Sequence, residues 1–174
     1  HGVPEFKKQS SSLLKKRYGL EGREIISTFG LIGPGKGLEL GIEAIARLVN
    51  DWPQLCYLIL WQTHPMLKKY ESEKYRNMLE DKVHSLGLQN NVRFVNKYLS
   101  DEEIGEYLYM TDIYLSPYPN KDQAVSGTMA FAVGCGRAIV STSYAYATEV
   151  LAGKRGLLAQ QPEPDELSHL MRSI

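Results

Sequence analysis

The sequence lacks the features that mark several large classes of protein. It carries no net charge, with 20 Lys and Arg against 20 Asp and Glu, so nonspecific attraction to nucleic acid or to an acidic membrane is not expected. No apolar run reaches the roughly 20 residues of a membrane-spanning helix, and the first residues contain no apolar stretch typical of a signal peptide. We therefore expect a cytoplasmic protein with no nucleic-acid partner and no transmembrane segment.

Metal-binding and disulfide patterns are also missing. There are two cysteines, Cys56 and Cys135, and each lies in an apolar run, which favours two reduced thiols in the core. The four histidines are scattered along the chain, and no Cys or His cluster has the spacing of metal ligands. The sequence predicts no metal site.

What the sequence does contain is a regular alternation of short apolar runs and helical patterns. Strands are predicted over residues 24–29, 56–61, 92–96, 112–116, 138–142 and 156–159. Helices are predicted over 10–18, from 38, over 66–86, 100–109, 127–133 and 145–151, and from 165. Such alternation indicates βαβ crossovers and one α/β domain over 1–174. We expect six parallel strands in the order 3-2-1-4-5-6, with ligands at their carboxyl ends.

The loop after the first strand, residues 30–37, has the composition of an anion site. Gly33 and Gly35 allow backbone N–H groups to approach a phosphate, and Lys36 adds a positive charge at the start of the next helix. The spacing approaches that of a nucleotide-binding P-loop, but Gly37 supplies no hydroxyl for a magnesium ion, which argues against an ATPase or GTPase. The alternative is a tight turn with a solvated lysine.

A second loop, residues 122–128, precedes a helix of small residues. Ser126 or Thr128 could cap that helix, and the N–H groups of Gly127 and Thr128 would face a ligand above the sheet. Simple helix capping is the alternative. Two such helix entrances above one sheet suit a diphosphate. His64, in the loop after the second strand, is either a ligand contact or an exposed loop histidine.

The segments resemble, in order, the conserved segments of family 4 glycosyltransferases, also called glycosyl transferases group 1. The FG…KG segment at 29–37 is similar to the family's F-G-R-L-x-x-x-K-G, and LILWQTHP at 58–65 to LxIxGDGP. VRFVN at 92–96 resembles V-x-F-x-G, DIYLSP at 112–117 resembles ADxxxxPS, and GCGRAIVST at 134–142 resembles ACGKPVVAT. EVL at 149–151 with GLL at 156–158 is similar to EIVxxxxxGLLV.

The resemblance implies the C-terminal donor-binding domain of a two-domain GT-B enzyme, with a Rossmann-like three-layer α/β/α fold. It implies retaining transfer from a nucleotide diphosphate sugar (UDP-, GDP- or ADP-linked) to an acceptor hydroxyl, with no cofactor and no obligatory metal. The acceptor sugar or glycan would bind an N-terminal domain outside this chain, so the isolated domain is expected to be inactive. Lys36 would then hold the diphosphate, together with the backbone near Gly35 and Gly127–Thr128.

Three positions depart from the family pattern. The arginine that usually pairs with the lysine is replaced by Leu31, and the family's two glutamates fall on Gln123 and Phe131. Gln123 can still hydrogen-bond a donor sugar, whereas Phe131 cannot hold a ribose. We assign catalysis to Lys36 and Gln123. Two alternatives remain, namely a nucleotide-sugar-binding module without catalysis and another sugar-phosphate enzyme of the same fold, such as an epimerase.

Overall fold

The protein forms one six-stranded parallel sheet with helices on both faces. The computed structural model describes residues 9–32, 37–63, 69–119, 127–142, 147–148 and 156–174. The strands are β1 (Glu24–Ile32), β2 (Leu55–Thr63), β3 (Val92–Asn96), β4 (Ile113–Ser116), β5 (Ala138–Thr142) and β6 (Leu157–Ala159). Their order is β3-β2-β1-β4-β5-β6, and every neighbouring pair is parallel. The predicted fold class and strand order are confirmed.

Six helices lie within the described residues. They are α1 (Ser11–Arg17), α2 (Leu38–Ala46), α3 (Lys69–Ser85), α4 (Asp101–Met110), α5 (Gly127–Gly134) and α6 (Pro164–Arg172). The core is divided by the sheet into two clusters of apolar side chains. Helices α2, α3 and α6 cover one face through Ile42, Leu79 and Met171. Helices α1, α4 and α5 cover the other, where Leu14 and Leu108 are nearly inaccessible to solvent. Both faces of the sheet are therefore buried, as a doubly wound sheet requires.

Residues with known preferences for helix ends mark the start of α4 and the end of α3. Ser100 opens α4 with a capping box, since its hydroxyl accepts a hydrogen bond from the Glu103 N–H at 3.2 Å and its own N–H donates to the Glu103 carboxylate at 3.3 Å. Gly87, just after α3, has φ +69°, a left-handed conformation that terminates helices and favours glycine. The sequence predicts both features. The predicted helix over 145–151 lies mostly outside the described residues.

Two strands are longer than the sequence predicts. Strand β1 continues through Ile32, so that residues 30–32, expected to belong to the glycine-rich loop, are extended. Strand β2 likewise includes Gln62 and Thr63, which were expected in a loop. The cause is a continuous ladder of nine paired positions that ends at Ile32 opposite Thr63. Pairing between neighbouring strands overrides the turn preference of Gly30.

The two cysteines are free and buried, which confirms the prediction of core thiols. Among the described residues, no group of three or more His, Cys, Asp or Glu side chains is placed to hold a metal ion. None of the helices in those same ranges has the length and apolar character needed to cross a bilayer.

Candidate functional site

The sheet opens between β1 and β4 on the side of its carboxyl ends. These two strands pair at only two positions, Ile26 with Ile113 and Ser27 with Tyr114, although β1 continues to Ile32. Here the strand order reverses, with β1 to β3 running one way and β4 to β6 the other. In sheets of this kind, a crevice at the reversal point is where ligands bind.

Hydroxyl groups hold the two strands together where the backbone ladder has ended. The Thr28 hydroxyl donates to the Leu115 carbonyl at 2.6 Å, and the Tyr114 hydroxyl donates to the Phe29 carbonyl at 3.2 Å. Because the Thr28 proton is used in this way, the neighbouring Tyr57 hydroxyl, at 2.6 Å, donates to the Thr28 oxygen. All of these groups are buried. The polar groups beneath the crevice are therefore shielded from solvent and hydrogen-bonded to one another.

The Tyr57 hydroxyl stays protonated in this environment. Burial raises the pKa of Tyr57 far above its ordinary value. Sequence reasoning missed this group because Tyr57 lies in the apolar run of β2. A buried tyrosine hydroxyl needs a polar partner. The presence of a tyrosine in this apolar run was therefore the signal that could have indicated a buried polar group.

The entrance to α2 lies directly against the segment that follows β4. Gly37 has φ +74°, and a Cβ atom at this position would come within 2.0 Å of the Pro117 carbonyl oxygen. A side chain is therefore excluded both by the backbone conformation and by space. The absence of a P-loop hydroxyl at Gly37 thus has a steric cause. Gly37, at the start of α2, and Pro117, just after β4, meet at this contact beside the crevice.

The segment after β4 is held from both sides. The Tyr118 ring is buried, and its hydroxyl lies 3.3 Å from where a Cβ of Gly30 would be. On the other side, the Thr142 hydroxyl at the end of β5 lies 2.5 Å from the Tyr118 carbonyl oxygen and 3.5 Å from that of Ser116. Residues 116–118 are thereby fixed between β1 and β5.

Two of the helices that begin at this edge of the sheet, α2 and α5, follow β1 and β4, the strands on either side of the crevice. Helices α2 and α5 each connect a strand end to the start of the next parallel strand, so their amino ends lie at the carboxyl edge. The first turn of α5 contains no acidic residue, and Met129 and Ala132 anchor it to the core. Partial positive charge at such helix starts favours an anion.

The predicted site residues fall into two groups. Gly33, Gly35, Lys36, His64, Gln123 and Ser126 lie outside the described residues, so their assigned roles stay predictions. Gly127 and Thr128 are the first two residues of α5, which places their backbone at the carboxyl edge, and the role of their N–H groups toward a ligand stays a prediction. Phe131, one turn further along α5, packs against the second core cluster, and this accounts for an apolar residue at that position.

Comparison with known proteins gives the family. The family model described as "Glycosyl transferases group 1" matches residues 23–174. The chain belongs to this family. Among curated proteins, none matches the sequence significantly.

Solved structures of glycosyltransferases share the fold of this group 1 chain. The C-terminal domain of a glycosyl transferase group 1 protein (LpcC) from Francisella tularensis superposes with a TM-score of 0.81 at 17% identity, covering 97% of this chain and 83% of that one. Anabaena Alr3699/HepE in complex with UDP and glucose gives 0.80 at 21% identity, covering 94% and 41%. Sucrose-phosphate synthase from Thermosynechococcus elongatus gives 0.78 at 18%, covering 99% and 42%. The chain thus spans about two fifths of the length of the last two.

Proposed function

We propose that this chain is the donor-binding half of a retaining glycosyltransferase with two domains. It binds a nucleotide diphosphate sugar in the crevice between β1 and β4, and the sugar passes to an acceptor hydroxyl. The observation that carries the proposal is the early end of the β1–β4 ladder, with two helix starts above the gap, in a member of the glycosyl transferases group 1 family. The complex of Anabaena HepE with UDP and glucose supports a nucleotide-sugar donor.

In this proposal the protein's chemical task is electrostatic. The diphosphate leaving group gains negative charge as the glycosidic bond breaks, and fixed positive groups lower the energy of that state. Lys36 supplies a full charge, and the backbone N–H groups near Gly33, Gly35 and Gly127–Thr128 supply hydrogen bonds. Ser126 is one of the small residues expected in the turn before α5, which faces the phosphates in this proposal. These groups meet the charge of the diphosphate without a bound metal, so a chelator should leave donor binding unchanged.

The sugar and the nucleoside have fewer assigned contacts. Gln123 hydrogen-bonds the donor sugar, and His64 contacts the ligand from the loop after β2. Phe131 offers no hydrogen bond and packs against the core, so the ribose is held by other groups. The acceptor sugar or glycan binds a separate domain outside these residues, and the chain alone should therefore bind donor without transferring the sugar.

One observation favours a second function. The packing of Phe131 into the core removes a ribose ligand of the family pattern, as expected if the domain had become a nucleotide-binding module without catalysis. Turnover of a nucleotide sugar by a protein that contains this chain and an acceptor domain separates the two functions. Tight binding with no turnover, for any common nucleotide sugar, would support the module.

The direct test is donor binding by the chain itself. Thermal shifts with UDP, GDP, ADP and their sugars identify the base, and calorimetry then compares the preferred diphosphate with its nucleoside. Lys36→Ala should remove a charge-assisted contact of about 1.5–3 kcal/mol, which is about tenfold to a hundredfold in diphosphate affinity, and leave nucleoside binding unchanged. Lys16→Ala removes an exposed lysine of α1 and is the control. Equal losses for diphosphate and nucleoside would contradict the role of Lys36.

A further inference from the structure

Tyr75 of α3 reaches across to the first turn of α2. Its hydroxyl donates to a carboxylate oxygen of Glu39 at 2.6 Å. The ring belongs to the core cluster under α2 and is only 7% exposed. A side chain of a neighbouring helix thus holds the first turn of α2.

This contact compensates for a cap that α2 cannot have. The residue before a helix usually supplies a side-chain oxygen to the free N–H groups of the first turn. That residue is Gly37, which makes no side-chain cap and which the Pro117 carbonyl prevents from carrying a side chain. The bond from Tyr75 to Glu39 instead ties this uncapped first turn to α3.

The contact also fixes the direction of a carboxylate. Glu39 is the acidic residue of the first turn of α2, close in sequence to Lys36 and the glycine-rich loop. An acidic group at a helix start stabilises the helix, but beside a bound diphosphate it would repel the ligand. The hydrogen bond to Tyr75 holds the Glu39 carboxylate toward α3.

The Tyr75 hydroxyl keeps its proton at neutral pH. Burial and then the hydrogen bond with Glu39 raise the pKa of Tyr75 well above its ordinary value, because both disfavour the phenolate. The hydroxyl therefore remains a donor to the carboxylate under all conditions near neutrality.

We propose that Tyr75 is a positioning residue for donor binding, which fixes the first turn of α2 and keeps the Glu39 carboxylate away from the diphosphate. This inference rests on the proposed function, since it assumes that a diphosphate binds beside α2. Tyr75 acts through Glu39 and through the helix start, and it does not itself touch the ligand.

The test compares diphosphate and nucleoside affinities in matched variants. Calorimetry uses the tightest of UDP, GDP and ADP with its nucleoside, on the chain and its variants. Tyr75→Phe leaves the carboxylate free to turn toward the ligand, so diphosphate binding should weaken about five- to tenfold, with nucleoside binding unchanged. Glu39→Gln in the Tyr75→Phe background removes the negative charge and should restore most of the loss.

The controls separate positioning from simple stabilisation. Tyr18→Phe removes a comparable hydroxyl, which donates to Glu106 at 3.3 Å on the opposite face of the sheet, and it should not alter the ratio of the two affinities. Glu39→Gln alone keeps an acceptor for Tyr75 and is the variant to use if Tyr75→Phe folds poorly. It should bind the diphosphate as well as the parent or better, and weaker binding would overturn the inference.

Three further outcomes show whether a failed result belongs to this inference or to the proposed function. If Tyr75→Phe lowers the melting temperature but leaves the affinity ratio unchanged, or if Glu39→Gln does not rescue it, Tyr75 is only a structural cap. If Lys36→Ala reduces diphosphate binding in the same experiment, the proposed function survives that result. If the parent chain binds no nucleoside diphosphate, the proposed function fails and this inference fails with it.

Discussion

The two edges of the sheet are held together by different chemistry. At the amino edge, charged side chains bond directly to the backbone of several strands and helices. Around the crevice at the carboxyl edge, the described bonds that join β1, β4 and β5 are made by neutral hydroxyls, and glycines bring the backbone of one segment against another. The comparison indicates which edge is built for stability and which is built around a crevice.

Arg23 shows the strategy of the amino edge. Its guanidinium donates to the carbonyl oxygens of Gln54, Leu55 and Asn90 at 2.9, 2.8 and 2.7 Å, which ties the starts of β1, β2 and β3 together. Only a planar group with several fixed donors can serve three carbonyls in this way.

Strands β4 and β5 are fixed at this edge in a similar manner. Asp112, before β4, accepts hydrogen bonds from the Ile25 N–H and from Lys15, both at 2.7 Å. Arg137, before β5, donates to three carbonyls, those of Cys135, Tyr109 and Thr111. Charges at the amino edge are therefore used on the protein's own backbone.

The largest expected effect comes from the glycine that closes the crevice. Gly37→Ala places a Cβ atom within 2.0 Å of the Pro117 carbonyl oxygen, so the loops after β1 and β4 must separate. We expect a loss of more than about 4 kcal/mol in the free energy of unfolding, together with loss of diphosphate binding. Urea unfolding and calorimetry measure the two quantities.

Gly22→Ala is the matched control for this substitution. Gly22 has φ +77°, close to the +74° of Gly37, but a Cβ atom there would meet nothing within 4 Å. It should cost only the left-handed conformational penalty of about 1–2 kcal/mol and leave diphosphate binding intact. Similar losses for both glycines would show that the contact with Pro117 is unimportant.

A smaller effect on stability, and none on ligand binding, is expected at Arg23. Arg23→Ala removes three hydrogen bonds to carbonyls, and since the side chain is partly exposed we expect a loss of about 2–3 kcal/mol in the free energy of unfolding. Arg23→Lys retains the charge but loses the forked geometry, so it should recover less than half. A change in diphosphate affinity in either variant would show that the amino edge also contributes to ligand binding, and would contradict the division of roles between the two edges.

The sequence predicts the sheet well and the site only in part. Alternating apolar runs and helical spacing predict a parallel sheet, and right-handed crossovers leave few strand orders to choose from. They do not determine how far β1 follows β2, since the ladder to Ile32 depends on pairing with a strand distant in sequence. The steric need for Gly37 and the contact of Tyr75 with Glu39 also arise only when separate segments meet.

The smallest expected effect concerns the hydroxyls beneath the crevice. Tyr57→Phe removes the donor to Thr28 but leaves the Thr28 bond to the Leu115 carbonyl in place. We expect a loss of about 0.5–1.5 kcal/mol in the free energy of unfolding. Because Tyr57 supports the Thr28 hydroxyl, whose own bond spans the opening between β1 and β4, diphosphate binding should also weaken, by about twofold to threefold (less than ~1 kcal/mol).

A second substitution at the same contact sharpens this prediction. Gly41 of α2 leaves room for the Tyr57 hydroxyl, since a Cβ atom there would lie 2.6 Å from that oxygen. Gly41→Ala should therefore destabilise the parent, although alanine favours a helix by about 1 kcal/mol over glycine. In the Tyr57→Phe background the same change should cost less or stabilise, because the oxygen is gone. Tyr107→Phe, on the opposite face of the sheet, controls for the loss of a tyrosine hydroxyl. An equal change in the free energy of unfolding on Gly41→Ala, with and without the Tyr57 hydroxyl, would show that this oxygen does not pack against Gly41 and does not support the carboxyl edge.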